Sequence, residues 1–187
     1  MKFGISYNTG TQLGYDGVGV REIARAAPVD PRLIGRYFGS KEGLFAEVVD
    51  LAYEKSLMMT PELNEQAARV LLTGTDPAAE AGMLLTLRSA ANPRAAAIMR
   101  DSIERNYQAR LAGALPGTDA ASRAALLIAI CAGVTLNRTL LGHTELNRTG
   151  TENLIPYLRA ALDAVARAPE PAPGPAAGPP PARGVGP

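Results

Sequence analysis

Residues 15–47 read YDGVGVREIARAAPVDPRLIGRYFGSKEGLFAE, and the punctuation of this stretch decides the fold. Val20, Ile23, Ala24 and Ala27 recur at i, i+3, i+4 and i+7, which lines them up on one face of a helix. Pro28-Val29 leaves room for only a short turn. Asp30 carries a side-chain oxygen suited to capping the next helix, and Pro31 suits its first position, where no amide hydrogen is needed. Two short helices therefore meet at a steep angle, a helix-turn-helix. On the second of them Ile34 and Phe38, four residues apart, face inward, which turns Arg32, Gly35 and Arg36 outward and leaves Tyr37 at the edge. Ser40-Lys41-Glu42 opens a third helix whose stripe runs through Leu44, Val48, Val49 and Ala52. Its first amides, together with Lys41, offer a seat for a phosphate.

Downstream, helical period continues with no alternating run that would suggest a sheet. Thr60-Pro61, Asp76-Pro77 and Asn92-Pro93 each pair a capping side chain with a proline suited to the first helical position, and predict three helix starts. From Pro93 to Leu115 the residues Ala96, Met99, Ile103, Tyr107 and Leu111 share one face, with Arg100, Glu104, Arg105 and Arg110 mostly turned away. Pro116-Gly117 breaks that helix. Thr118 or Asp119 then caps another, which runs to about Leu141 and is apolar nearly all round between Ala124 and Val134, so that it must be covered on both sides. A last helix begins between Thr151 and Pro156 and carries Leu154, Ile155, Leu158, Leu162 and Val165 on one stripe.

The two ends read differently. Gly4, Gly10 and Gly14 interrupt any helical stripe in Met1–Gly14, which predicts an extended or disordered segment. The last twenty residues hold eight of the fifteen prolines and cannot build a packed core, which predicts a disordered tail. The expected organisation is an atypical segment over 1–14, a small head over 15–55, a helical body over 56–167 and the tail over 168–187.

Composition sets limits on function. With 47% hydrophobic residues in 187 the chain can bury a full core. A formal net charge of +1 excludes a binder that relies on bulk positive charge, so any nucleic-acid contact rests on a few placed side chains. The single cysteine, Cys131, excludes an intrachain disulfide and a zinc site built on paired cysteines. No uninterrupted apolar run reaches the length needed to span a bilayer and no signal peptide is legible, which makes the cytoplasm the expected compartment and a membrane an unexpected partner. One histidine, His143, in an expected loop, with one cysteine, no recognisable carboxylate pair and no glycine-rich phosphate loop, predicts a non-enzyme with no catalytic residues, cofactor or metal.

GYDGVGVREIA followed by LIGRYFGSKEGLFAEVV resembles the N-terminal domain of TetR-family regulators, and LLTLRSAANPRAAAIM resembles the all-helical effector and dimer domain of one branch of that family. The resemblance implies an all-α fold, a three-helix-type helix-turn-helix head followed by a helical bundle. It implies a repressor that binds a double-stranded DNA operator as a homodimer and is released by a small-molecule effector. By carry-over, Arg21, Asp30, Arg32, Arg36 and Tyr37 lie at or near the major groove and Lys41 grips a phosphate. Met83, Leu87, Met99, Ile103 and Tyr107 are candidates to line the effector pocket, with Asn137 as its polar group.

The chain departs from the family pattern at four places. The first helix of the head is missing or degenerate in Met1–Gly14. Gly19 stands where a serine or threonine usually caps the first motif helix, Pro28 replaces the turn glycine, and Gly35 replaces a tyrosine that commonly contacts the DNA backbone. These departures predict weak DNA binding, with Ile23, Ile34, Phe38 and Phe45 partly uncovered. The alternative class is a dimeric ligand-binding helical module whose DNA-binding head has decayed or whose N-terminus is misassigned, in which case the DNA upstream would encode an amphipathic helix ahead of GYDG.

Overall fold

A computed structural model describes residues 14–17, 36, 38–54, 56–74, 77–148 and 150–167, with side chains from Glu80 onward in the helix that begins at Pro77. The expectations for Met1–Leu13, for the helix through Val20 and Ala27, for the Pro28-Val29 turn and for the tail from Ala168 lie outside the described residues. Among the described residues every regular element is helical.

Helix α1 spans Lys41–Tyr53, α2 Asn64–Thr73, α3 Pro77–Ser89 and α4 Pro93–Ser102. The last continues through a π turn, Ile103–Gln108, into α5, Ala109–Gly113. Helix α6, Ala120–Thr135, likewise continues through a π turn, Leu136–Leu140. The short α7, Thr144–Asn147, and a 3₁₀ turn, Thr151–Leu154, lead into α8, Ile155–Ala166.

The helix starts follow from local chemistry, with one shift. Asn92 accepts from the amides of Arg94 and Ala95 at 3.0 and 3.2 Å, with Pro93 behind it, as the sequence predicts. Thr60-Pro61 instead opens a turn, and α2 begins three residues later at Asn64, whose amide donates to the Thr60 carbonyl at 2.9 Å. Asp119 occupies the N-cap of α6, yet its carboxylate makes no capping bond; it pairs with Arg123 at 2.8 Å, one helical turn on. The helix predicted from Pro93 to Leu115 is continuous to Gly113 and widened at the π turn. Arg100, Glu104, Arg105 and Arg110 are exposed, while Met99, Tyr107 and Leu111 are buried.

Two apolar clusters form the interior. The larger joins Met59, Leu71, Leu72, Tyr107, Leu111, Leu127, Cys131, Ile155 and Leu162, and binds α2, α5, α6 and α8 together. The smaller joins Tyr15, Phe45, Val48, Val49, Leu85, Ala95 and Met99, and so fuses α1 and the helical residues 14–17 to α3 and α4 of the body. Tyr53 packs against both clusters, and its hydroxyl meets the Thr86 hydroxyl at 2.7 Å. The segment boundary near residue 55 is therefore no break in packing.

Helix α6 with its π turn, Ala120–Leu140, runs 21 residues and is by length and composition long and apolar enough to cross a membrane, which counting uninterrupted runs does not anticipate. Arg123 near one end and Arg138 near the other are its charged residues. Leu127, Ala124 and Cys131 are buried on one side. On the other, Ser122, Ala125, Leu126 and Ala129 are exposed, so the expected cover is present on one side of the single chain and absent on the other.

Candidate DNA-reading head and its junction with the body

The segment Gly39-Ser40-Lys41-Glu42-Gly43 is built for a tight helix start. Gly39 has φ +69°, a left-handed backbone that a Cβ disfavours. Ser40 is extended, and its hydroxyl accepts from the Gly43 amide at 3.1 Å, closing the first turn of α1. A Cβ on Gly43 would collide with the Phe38 carbonyl oxygen, so both glycines of GSKEG are required by the backbone. Lys41 follows the cap directly, at the positive end of the helix dipole.

The Lys41 ammonium stands 4.5 Å from the centroid of the Tyr15 ring, within cation–π range. Tyr15 itself is 5% exposed and meets Phe45 edge to face at 5.0 Å. Its hydroxyl donates to the Glu42 carboxylate at 3.1 Å, and its amide donates to the Ser89 hydroxyl at 3.0 Å. Asn92 donates to Asp16 at 2.8 Å, and Arg94 pairs with Glu42 at 3.3 Å. Burial first, then the bond to Glu42, raise the Tyr15 hydroxyl above the ordinary range. Its own amide first, then the Tyr15 hydroxyl, hold the Glu42 carboxyl below its ordinary value.

Phe45 is 4% exposed, which corrects the expectation that it is left partly uncovered: Tyr15 lies across it. Phe38 is half-buried, as expected. Of the DNA-contact candidates, Arg36 is exposed and Lys41 sits at the head of α1, while Arg21, Asp30, Arg32 and Tyr37 lie outside the described residues, as do Ile23 and Ile34.

Of the six residues named for the effector pocket, two lie in the apolar interior. Met99 belongs to the smaller apolar cluster and Tyr107 to the larger. Met83 and Ile103 are half-buried. The Tyr107 hydroxyl is already bonded to the Leu57 carbonyl at 2.5 Å, and Asn137 is turned back on the Gly133 carbonyl at 2.8 Å. Leu87 is 47% exposed and belongs to neither cluster. His143 is exposed, in keeping with its expected loop.

Three polar groups escape the sequence reading. On α1, Asp50 accepts from Asn106 at 2.8 Å and from the fully buried Ser102 hydroxyl, which ties α1 to α4 and the π turn. Arg123, at the edge of an apolar run, is buried and bonded to four oxygens of Asp119, Pro116, Val165 and Ala166. Tyr15 carries no periodic or capping signal of its own in the sequence. The Ser102–Asn106 spacing of four beside an apolar stripe is the only one of these signals that periodicity could have flagged.

Among the described residues, a capped helix start is joined through a shared apolar cluster to an all-helical body. The profile described as "Bacterial regulatory proteins, tetR family" matches residues 11–48, and that described as "Tetracyclin repressor-like, C-terminal domain" matches residues 62–165, more than half of the chain. The chain belongs to the TetR family and is a TetR-type transcriptional regulator. A TetR-family regulator from Streptomyces coelicolor A3 shares its fold, with a TM-score of 0.50 and 21% identity over 88% of this chain and 92% of that one. The TetR family transcriptional regulator PfmR from Thermus thermophilus gives a TM-score of 0.36 and 18% identity over 88% of this chain and 96% of its own. No curated protein matches the sequence.

Proposed function

We propose that the chain is a cytoplasmic homodimeric repressor that holds a double-stranded operator through two copies of the 15–55 head and is released when a small molecule binds the 56–167 body. The observation that carries this reading is the capped start of α1, with Lys41 on it, seated on the same apolar cluster as α3 and α4. A phosphate gripped there is mechanically joined to the body. In this reading Arg32 and Arg36 reach base edges or phosphates, Arg21, Asp30 and Tyr37 border the groove, and Lys41 holds a phosphate. An effector acts only through its differential affinity for two spacings of the heads. Met83, Leu87, Met99, Ile103, Tyr107 and Asn137 are the candidates to line the pocket.

The dimer contact in this reading is the uncovered side of α6, Ser122, Ala125, Leu126 and Ala129, with the exposed Tyr157, Ala160, Ala161 and Ala164 of α8. A Cβ on Gly133 meets nothing within 4 Å, so a second helix has room to approach closely along this stripe. Two such helix pairs make a two-fold four-helix contact. Selection from random duplexes tests the whole: it should return a two-fold symmetric site, and recovery of sequences without symmetry or enrichment would reject the reading. Small molecules found by thermal stabilisation of the protein should then weaken binding to that site.

A further inference from the structure

We infer that Tyr15 is the positioning residue for Lys41, and that Ser89, at the end of α3 in the body, holds Tyr15 in place; this rests on the proposed phosphate role of Lys41. A lysine has four rotatable bonds and loses rotamer entropy when fixed, so an exposed one grips a phosphate poorly unless something arrests it first. Here the Tyr15 ring face lies 4.5 Å from the ammonium, and nothing in that contact neutralises the charge. Glu42, the neighbouring carboxylate that would neutralise it, is drawn instead to the Tyr15 hydroxyl and to Arg94.

Tyr15 is fixed from three directions. Phe45 lies edge on to its ring, Glu42 accepts from its hydroxyl, and Ser89 accepts from its amide. The preceding Gly14, at φ +67°, is pressed so close to α3 that a Cβ there would lie 2.8 Å from the Arg88 Cβ. Asn92, the cap of α4, donates to Asp16 on the other side. The corner between α3 and α4 thus grips residues 14–16 by backbone and side chain, and a shift of that corner moves the ring that orients Lys41. The chain of contacts from Ser89 through Tyr15 to Lys41 is short enough that each link can be cut alone.

The test measures affinity against salt for the selected duplex with the full chain. Lys41→Met should lower the salt slope by about 0.9 for each protomer, so that a dimer loses about twelvefold less affinity between 50 and 200 mM salt than the parent. Tyr15→Leu should reproduce most of that loss of slope and add nothing when combined with Lys41→Met. Tyr15→Phe, which keeps the ring and loses only the bond to Glu42, should retain the slope, and Ser89→Ala should fall between. Thermal melts identify any variant that has unfolded. In the DNA-free protein, the Lys41 ε-methylene protons should show an upfield ring-current shift that survives in Tyr15→Phe, so the placement is read even if Tyr15→Leu fails to fold. Lys41→Met losing slope while Tyr15→Leu keeps it, equal losses from Tyr15→Leu with and without Lys41, or the absence of the ring-current shift would each overturn the positioning role alone. A parent chain that binds no duplex would overturn both this role and the function it rests on.

Discussion

Arg123 donates through Nη1 to the carbonyl oxygen of Ala166 at 2.8 Å, joining the first turn of α6 to the last turn of α8 across 43 residues. The end of a helix leaves carbonyl oxygens without amide partners and carries partial negative charge, and the planar guanidinium satisfies several at once. Val165 at 3.3 Å and the carbonyl of Pro116 take two more of its bonds, and Asp119 at 2.8 Å balances its charge. Arg123→Ala leaves those oxygens buried and the Asp119 carboxylate unpaired. Chemical denaturation should show a loss of about 3 kcal/mol, the scale of breaking a buried ion pair from one side. A change below about 1 kcal/mol would mean that water replaces the clamp.

Asp50 carries a comparable junction between head and body. Ser102 is fully buried, and its hydroxyl and the Asn106 amide have the same Asp50 oxygen as their acceptor. Asp50→Ala strands both donors, and a buried donor without a partner costs about 1 to 3 kcal/mol. Asp50→Asn keeps one acceptor oxygen and should recover part of the loss. Equal stabilities for Asp50→Ala and the parent would show that neither donor depends on Asp50.

The uncovered stripe on α6 and α8 predicts the oligomeric state. Leu126 is 51% exposed and Tyr157 75% in the single chain, an unusual pairing of large apolar surface with the small Ala125, Ala129 and Gly133 between. Sedimentation at micromolar concentration should show a dimer, Leu126→Glu should shift it to the 19.5 kDa species, and truncation before Thr151 should leave only the monomer of the shortened chain. A parent chain that already sediments as the monomer would sink the dimer.

Cys131 lies in the larger apolar cluster, and burial pushes its thiol up from 9.0 to about 12. The folded chain therefore holds this proton while the unfolded chain releases it. Stability is full below pH 9 and declines as the pH rises from 9 towards 12. Between about pH 8 and 10 the decline from this group is about 1 kcal/mol. The sloping melting temperature over that range should flatten in Cys131→Ala, and thiol reagents should label the native parent only as it unfolds. Prompt labelling of the folded protein at about pH 8 would contradict the burial.

What the sequence disclosed and what it concealed divide along a physical line. Leu44, Val48 and Val49 on α1, and Ile155 and Leu162 on α8, were legible because burial repeats at the period of the helix and each such side chain reports the same face. Asn92-Pro93 was legible because a cap acts on its own next two amides. Tyr15 against Phe45 and Lys41, Asp50 against Ser102, and Arg123 against Ala166 are contacts between residues far apart in the chain, and no local pattern encodes them. The exposure of Leu87 was hidden for a related reason: it follows Met83 by four residues and so shares its stripe, but the neighbours that would bury a stripe do not reach its end.

The strength of operator binding is the most exposed expectation. One reason to expect a loose head is removed, since Tyr15 covers Phe45. Two reasons in the sequence stand: Gly19 offers no side-chain oxygen to a helix start or a phosphate, and Gly35 falls within the helix expected to enter the groove, where glycine costs about 1 kcal/mol relative to alanine. A helix that must be ordered on binding lowers affinity by its ordering cost, and a dimer bears that cost in each head. Specific affinity at physiological salt should therefore stay weaker than about 10⁻⁸ M, the weak end for specific regulators. Gly35→Ala, which adds helix propensity without a new contact to DNA, should tighten binding by up to about 2 kcal/mol per dimer, roughly thirtyfold. Titration of the selected duplex against both chains decides it. A parent affinity in the nanomolar range, or no change on Gly35→Ala, would show that the recognition helix is already ordered before it meets DNA.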